Sequence, residues 1–98
     1  MIEQAFHLML ISIEIFIPYS GSLKTKRKIV KSLRDRVRNR FNASISELEY
    51  HDEWQRSIHG IAMLGNDRQY LDQQAAAVLT LYEENGEIEI VNYQQEWL

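Results

Sequence analysis

The chain contains no cysteine, so neither a disulfide framework nor a thiolate metal centre is available to it. Nothing in it calls for an oxidising compartment. One proline and four glycines leave little material for linkers, and there is no internal repeat or low-complexity tract. Long hydrophobic runs are absent as well. The longest, Leu8 to Ile17, contains Ser12 and Glu14 and falls well short of the ~20 apolar residues that span a bilayer. The residues before it carry Glu3 and no Lys or Arg, unlike a secretory signal. These absences predict a cytoplasmic protein with no membrane partner. With 98 residues, 45% of them hydrophobic, the chain has material for one domain over 1–98 with a single two-layer core.

Net charge is also low, at −3, but it is unevenly spread. Between Ser22 and Phe41 stand nine basic residues against one acidic residue, Asp35, a local net of +8. The remainder holds two basic and thirteen acidic residues, a net of −11. Such asymmetry points to an anionic partner for one face.

The order of elements follows from periodicity. Met9, Ile11, Ile13, Ile15 and Ile17 alternate with Leu8, Leu10, Ser12, Glu14 and Phe16, the pattern of a strand with the first set facing the core. Pro18-Tyr19-Ser20-Gly21 ends it. Ser22 then caps a helix over 23–40, in which Ile29, Val30, Leu33 and Val37 share one face. A second strand is expected within Phe41–Tyr50, with Ala43 and Ile45 inward, and a loop over His51–Gln55. Ser57–Leu64 reads as a third strand in which Gly60 allows a close backbone approach. Asn66 with Gln69 resembles a capping box. Leu71, Ala75, Val78, Leu79 and Tyr82 then carry a second helix to about Glu83. Glu87–Ile90 alternates as a final strand. The order β-α-β-β-α-β predicts an α+β, ferredoxin-like two-layer sandwich with an antiparallel sheet and both helices on one face.

The basic residues of the first helix have an order of their own. On a wheel with Ile29 at zero, Arg34, Arg27, Arg38 and Lys31 lie at roughly 140°, 160°, 180° and 200°. Lys24 and Lys28 widen this stripe, and Arg36 and Arg40 lie on the other flank. Cations in line over about three turns span ~16 Å and match the repeated charges of a nucleic-acid backbone. Lys24, Lys26, Arg27 and Lys28 also crowd the helix start, where the backbone is already partly positive and an anion would be welcome. The predicted phosphate-binding residues are Lys24, Arg27, Lys28, Lys31, Arg34 and Arg38. The competing reading is a solvated helix face partly neutralised by carboxylates.

Ser22-Leu23-Lys24-Thr25-Lys26-Arg27-Lys28 carries a family resemblance. It continues through Arg38-Asn39-Arg40-Phe41-Asn42, Ser46-Glu47, Trp54-Gln55-Arg56, Gly60-Ile61-Ala62 and Asn66-Asp67. Together these segments resemble the YlxP-like family of small bacterial proteins of unknown function. The resemblance implies a ferredoxin-like fold and no catalytic residue. Genes of that family often neighbour those for translation initiation factor two and ribosome-binding factor A, which by analogy implies a place near the ribosome or its RNA. Two positions depart from the family pattern. Thr25 stands where an acidic residue is common, and His59 where an aliphatic one is common.

Other candidates are weaker. Trp54, at the entrance of the third strand, is read as covering the core edge rather than stacking on a base beside Arg56. His7, His51 and His59 show no zinc-type spacing, so no metal and no cofactor are predicted. Glu47, Glu49, Asp52 and Glu53 are read as a solvated acidic face able to receive the basic helix of another copy. No nucleophile or Gly-rich phosphate loop accompanies them. The turn 18–24 also lacks the Gly-rich, Arg-containing loop that acylphosphatase places after its first strand. Leu8, Leu10 and Phe16 should share the outer sheet face with Ile58 and Leu64, a patch that two copies could cover by pairing face to face. The sequence therefore predicts an accessory factor for ribosomal RNA or the ribosome, with a homodimeric interaction module as the alternative.

Overall fold

The computed structural model describes residues 6–98; the leader over 1–5 lies outside them. Six elements follow in order: β1 (His7–Phe16), α1 (Leu23–Arg40), β2 (Ser44–Glu49), β3 (Arg56–Gly65), α2 (Arg68–Glu83) and β4 (Glu89–Trp97). The sheet order is β2-β3-β1-β4 with every neighbour antiparallel. This is the ferredoxin-like α+β arrangement. Each βαβ unit is split by one strand of the other, so β1 and β3 occupy the centre. Among the described residues no helix is long and apolar enough to cross a membrane.

β1 carries the core. Met9, Ile11, Ile13, Ile15 and Ile17 are buried, as the alternation predicts. They meet Ile29, Val30, Leu33 and Val37 of α1 and Leu71, Ala75, Val78, Leu81 and Tyr82 of α2 in one apolar cluster. In α2 the fully buried fifth position is Leu81, and Leu79 is only half-buried. The Ser22 side chain accepts from the Thr25 amide at 3.0 Å, so α1 starts where its cap predicts. The cap of α2 is Asp67 rather than Asn66; its carboxylate accepts from the amides of Gln69 at 3.0 Å and Tyr70 at 3.3 Å. A carboxylate one residue later satisfies two free amides at once and also suits the positive helix end.

β4 is longer and later than the alternation at 87–90 implies. Ile15 pairs with Ile90 but Glu14 pairs with Asn92, so the register shifts there and Val91 is the extra residue. The bulge resets the alternation, and Tyr93, Gln95 and Trp97 continue the helix-facing row beyond it. A second shift lies between Glu47 and Glu49. It frees Leu48 to lie over Gly60, where an added Cβ would stand 2.7 Å from Leu48 Cδ1. The close approach at Gly60 is thus made by a side chain and not by backbone.

Candidate nucleic-acid interface

The six predicted phosphate contacts divide into two groups along α1. Lys24, Arg27 and Lys28 are exposed on the first two turns. Among the described residues none of the three has a carboxylate within ion-pair distance. The first turn of α1 holds no acidic residue. Further along, the stripe is engaged within the protein. Lys31 Nζ meets the Asp35 carboxylate at 2.7 Å, both side chains being largely exposed. Lys31's hydrogen bond, opposed by slight desolvation, holds Asp35 below the usual carboxylate range, with help from the charges of Lys31, Arg38 and Arg34. An exposed i,i+4 pair of this kind contributes little to stability and yields readily to a phosphate. Arg38 is exposed and donates a long bond, 3.4 Å, to the Ile45 carbonyl of β2. Arg34 is half-buried, and its Nε is buried without a hydrogen-bond partner among the described residues. The stripe therefore runs along the side of α1 that meets β2.

Lys26 does not belong to the exposed cations. It is 1% exposed. Its ammonium reaches Glu47 Oε2 at 3.0 Å and donates to the Tyr50 carbonyl. On the same wheel Lys26 falls at roughly 60°, between Leu33 and Val37 on the apolar face. The angle, rather than the charge, marks it as a buried residue. Glu47 likewise leaves the acidic face assigned to it. It continues the inward row after Ile45, stands opposite His59 in the register, and accepts from Ser57 Oγ. Desolvation pushes its carboxyl up, but the hydrogen bonds from Ser57 and Lys26, with the charges of Lys26 and His51, outweigh it and hold the group below its ordinary 4.5. This ion pair pins the start of α1 to β2 and so sets the orientation of the cations beside it.

A second polar group lies deeper. His59 is fully buried and shares a 2.6 Å hydrogen bond, through Nδ1, with the Tyr82 hydroxyl of α2. Its Nε2 has no partner among the described residues. Burial drives its pKa down to about 4; the Glu47 carboxylate opposes this, and the Arg34 and Lys26 charges add to it. The ring is neutral at physiological pH, so His59 acts as a packed core residue tied to α2. Burial also pushes the Tyr82 hydroxyl up, which keeps its proton in place. Ser57, His59 and Lys26 are too enclosed to meet a substrate. Among the described residues no group of three or more His, Asp or Glu side chains is arranged to hold a metal ion.

Trp54 is not on the core edge. It is 53% exposed and forms one wall of a shallow hollow with Phe16, Glu53, Gln55 and Arg56. Arg56 is fixed beside it. Its guanidinium stacks 4.1 Å from the centre of the Tyr50 ring and meets Glu14 Oε2 at 2.8 Å. On the rest of that outer sheet face, Leu8, Leu10, Ile58 and Ala62 are half-buried, while Leu48 and Leu64 are exposed.

An uncharacterized protein of Bacillus subtilis (strain 168), YlxP, is 40% identical over 84 residues, which cover 86% of this chain and 91% of that protein. The matched stretch of the corresponding family, residues 8–95, takes in all four strands and both helices save the outermost strand residues. The chain belongs to the family described as "Protein of unknown function (DUF503)".

Proposed function

We propose that this chain is an RNA- or ribosome-associated accessory factor of the cytoplasm that grips phosphates through α1. The observation that carries the reading is the cluster of Lys24, Arg27 and Lys28 on the first two turns, exposed and with no carboxylate within ion-pair distance among the described residues. A helix start without acidic residues, already partly positive, adds free amides to those side chains. Lys31, Arg34 and Arg38 extend the grip along the β2 side. The acidic remainder of the chain repels a polyanion from the other surfaces and so orients the complex. Contacts of this kind position the protein on a backbone without reading sequence.

Ribosomal RNA should therefore bind with a steep salt dependence. If all six cations meet phosphates, affinity falls about 10³-fold between 50 and 200 mM salt, measured by filter binding. Charge reversal at Arg27, Lys31 and Arg34 together removes three of the six contacts and should at least halve that slope. Cosedimentation with a ribosomal subunit at low salt, lost at high salt, would extend the result to the ribosome. Binding that ignores both salt and charge reversal would sink the reading.

The second reading is a homodimer through the outer sheet face. Its support is the run of Leu8, Leu10, Leu48, Ile58, Ala62 and Leu64 across three adjacent strands, interrupted at one end by the Glu14–Arg56 pair. Light scattering should then give twice the chain mass at micromolar concentration, and Leu10→Lys should return it to the mass of one chain.

A further inference from the structure

We propose that the hollow formed by Phe16, Trp54 and Arg56 takes an unpaired nucleobase, so that the RNA gripped by α1 is single-stranded beside the helix start. The inference rests on the phosphate-binding reading above and adds what that reading leaves open, the form of the RNA. Three observations meet here.

The first is that Trp54 is exposed on a turn that is held in place. The Ile17 amide donates to the Gln55 carbonyl at 2.9 Å, and Gln55 Nε2 donates to the Pro18 carbonyl at 3.1 Å. The Glu53 amide closes the turn on the Tyr50 carbonyl at 3.1 Å, and Tyr50 itself takes the left-handed φ of 67°. A tryptophan left half in water by a tethered backbone offers a flat apolar face with little ordering cost on binding.

The second is the arrangement of the hollow. Phe16 is half-buried beside it, and the Arg56 guanidinium is already fixed by Tyr50 and Glu14. A planar ring entering the hollow meets an indole and a guanidinium, the two surfaces on which bases stack. Glu53 also lines it. That carboxylate repels a phosphate but accepts a hydrogen bond from a base amino group, which favours base-inward, phosphate-outward binding.

The third is proximity to the cations. Lys26 joins the first turn of α1 to Tyr50, so the Trp54 turn and the Lys24–Lys28 cluster sit at one end of the molecule. Tyr19, 90% exposed on the adjoining turn, stands at the same end. Duplex RNA offers its backbone to a basic helix but keeps its bases paired, and it has no use for this hollow.

The test uses the full chain with Trp97→Phe, so that Trp54 is the one remaining fluorophore of its kind. A mixed-sequence single-stranded RNA of 12 nucleotides and the blunt duplex made from it are titrated separately. Single-stranded RNA should quench Trp54 emission, and the duplex should not. Trp54→Ala should weaken single-strand binding about 10-fold, leave the salt slope and duplex binding unchanged, and be largely rescued by Trp54→Phe. If Trp54→Ala binds the single strand as well as the parent while charge reversal on α1 abolishes binding, the stacking site is overturned and the phosphate grip stands. If the parent binds neither RNA, both fall.

Discussion

Replacing Lys26 with methionine should destabilise the protein by about 3–5 kcal/mol, because it leaves the Glu47 carboxylate enclosed without its counter-ion. That is a large part of the 5–15 kcal/mol typical of a whole domain. The Tyr50 carbonyl loses its ammonium donor in the same step. The pH dependence is the sharper readout. In the parent, Glu47 is held below its ordinary 4.5, so its contribution is present above pH 4.5 and is lost as pH falls through the folded value. Without Lys26, only the Ser57 hydrogen bond and the His51 charge oppose desolvation, so the carboxyl moves up from its parent value. The stability Glu47 contributes above pH 4.5 should then shrink, so the gap between parent and variant is widest above pH 4.5 and narrows as pH falls. Urea unfolding of both proteins at pH 7 and pH 3.5 reads that narrowing, because the His59 titration is largely common to the two and drops out of the difference. Glu47→Leu added to Lys26→Met should recover most of the loss, since an apolar pair of similar volume replaces a buried ion pair at little cost. A single-variant loss below about 1 kcal/mol would show that the pair does not hold α1 to β2.

The second large effect belongs to His59. Burial holds its pKa at about 4 against an ordinary 6.5. A depressed folded value means that stability is fully present above pH 6.5 and drains away as pH falls towards 4. The groups facing it are Glu47 from β2, Arg34 and Lys26 from α1, and the Tyr82 hydroxyl from α2. The whole shift corresponds to about 3 kcal/mol. Between pH 6.5 and 4.5 the decline belongs to His59, and Glu47 joins it below that. The double variant His59→Ile with Tyr82→Phe removes both partners of the hydrogen bond and should flatten the upper part of the curve. Retention of the full slope in that variant would place the sensitivity elsewhere.

Both effects arise from polar side chains inside a core whose outline was readable in advance. The strict alternation over Met9–Ile17, the Ser22 cap and the 3.6-residue spacing of Ile29, Leu33 and Val37 each predict the element found. These are local properties, and local pattern suffices to place them. The errors occur where a distant partner decides. Glu47 reads as one acid among several until β2 turns it towards Lys26, and Trp54 reads as an edge cover until its turn is tied to Pro18. The length of β4 depends on a bulge against β1, which no periodicity within β4 announces.

Sequence alone therefore determined the ferredoxin-like order of elements, the β1 core row and the concentration of positive charge on one helix. Each follows from periodicity and composition along a short stretch of chain. Tertiary structure decided which of those charges face water. Lys26 is neutralised beneath the helix, Lys31 and Arg38 are partly engaged, Arg34 is half-buried, and Lys24, Arg27 and Lys28 remain open on the first two turns of α1. The reason is that a charge is spent or left available by what lies across from it. For α1 those neighbours come from β2 and from the turn after it, more than twenty residues further along the chain for the Lys26–Tyr50 contact.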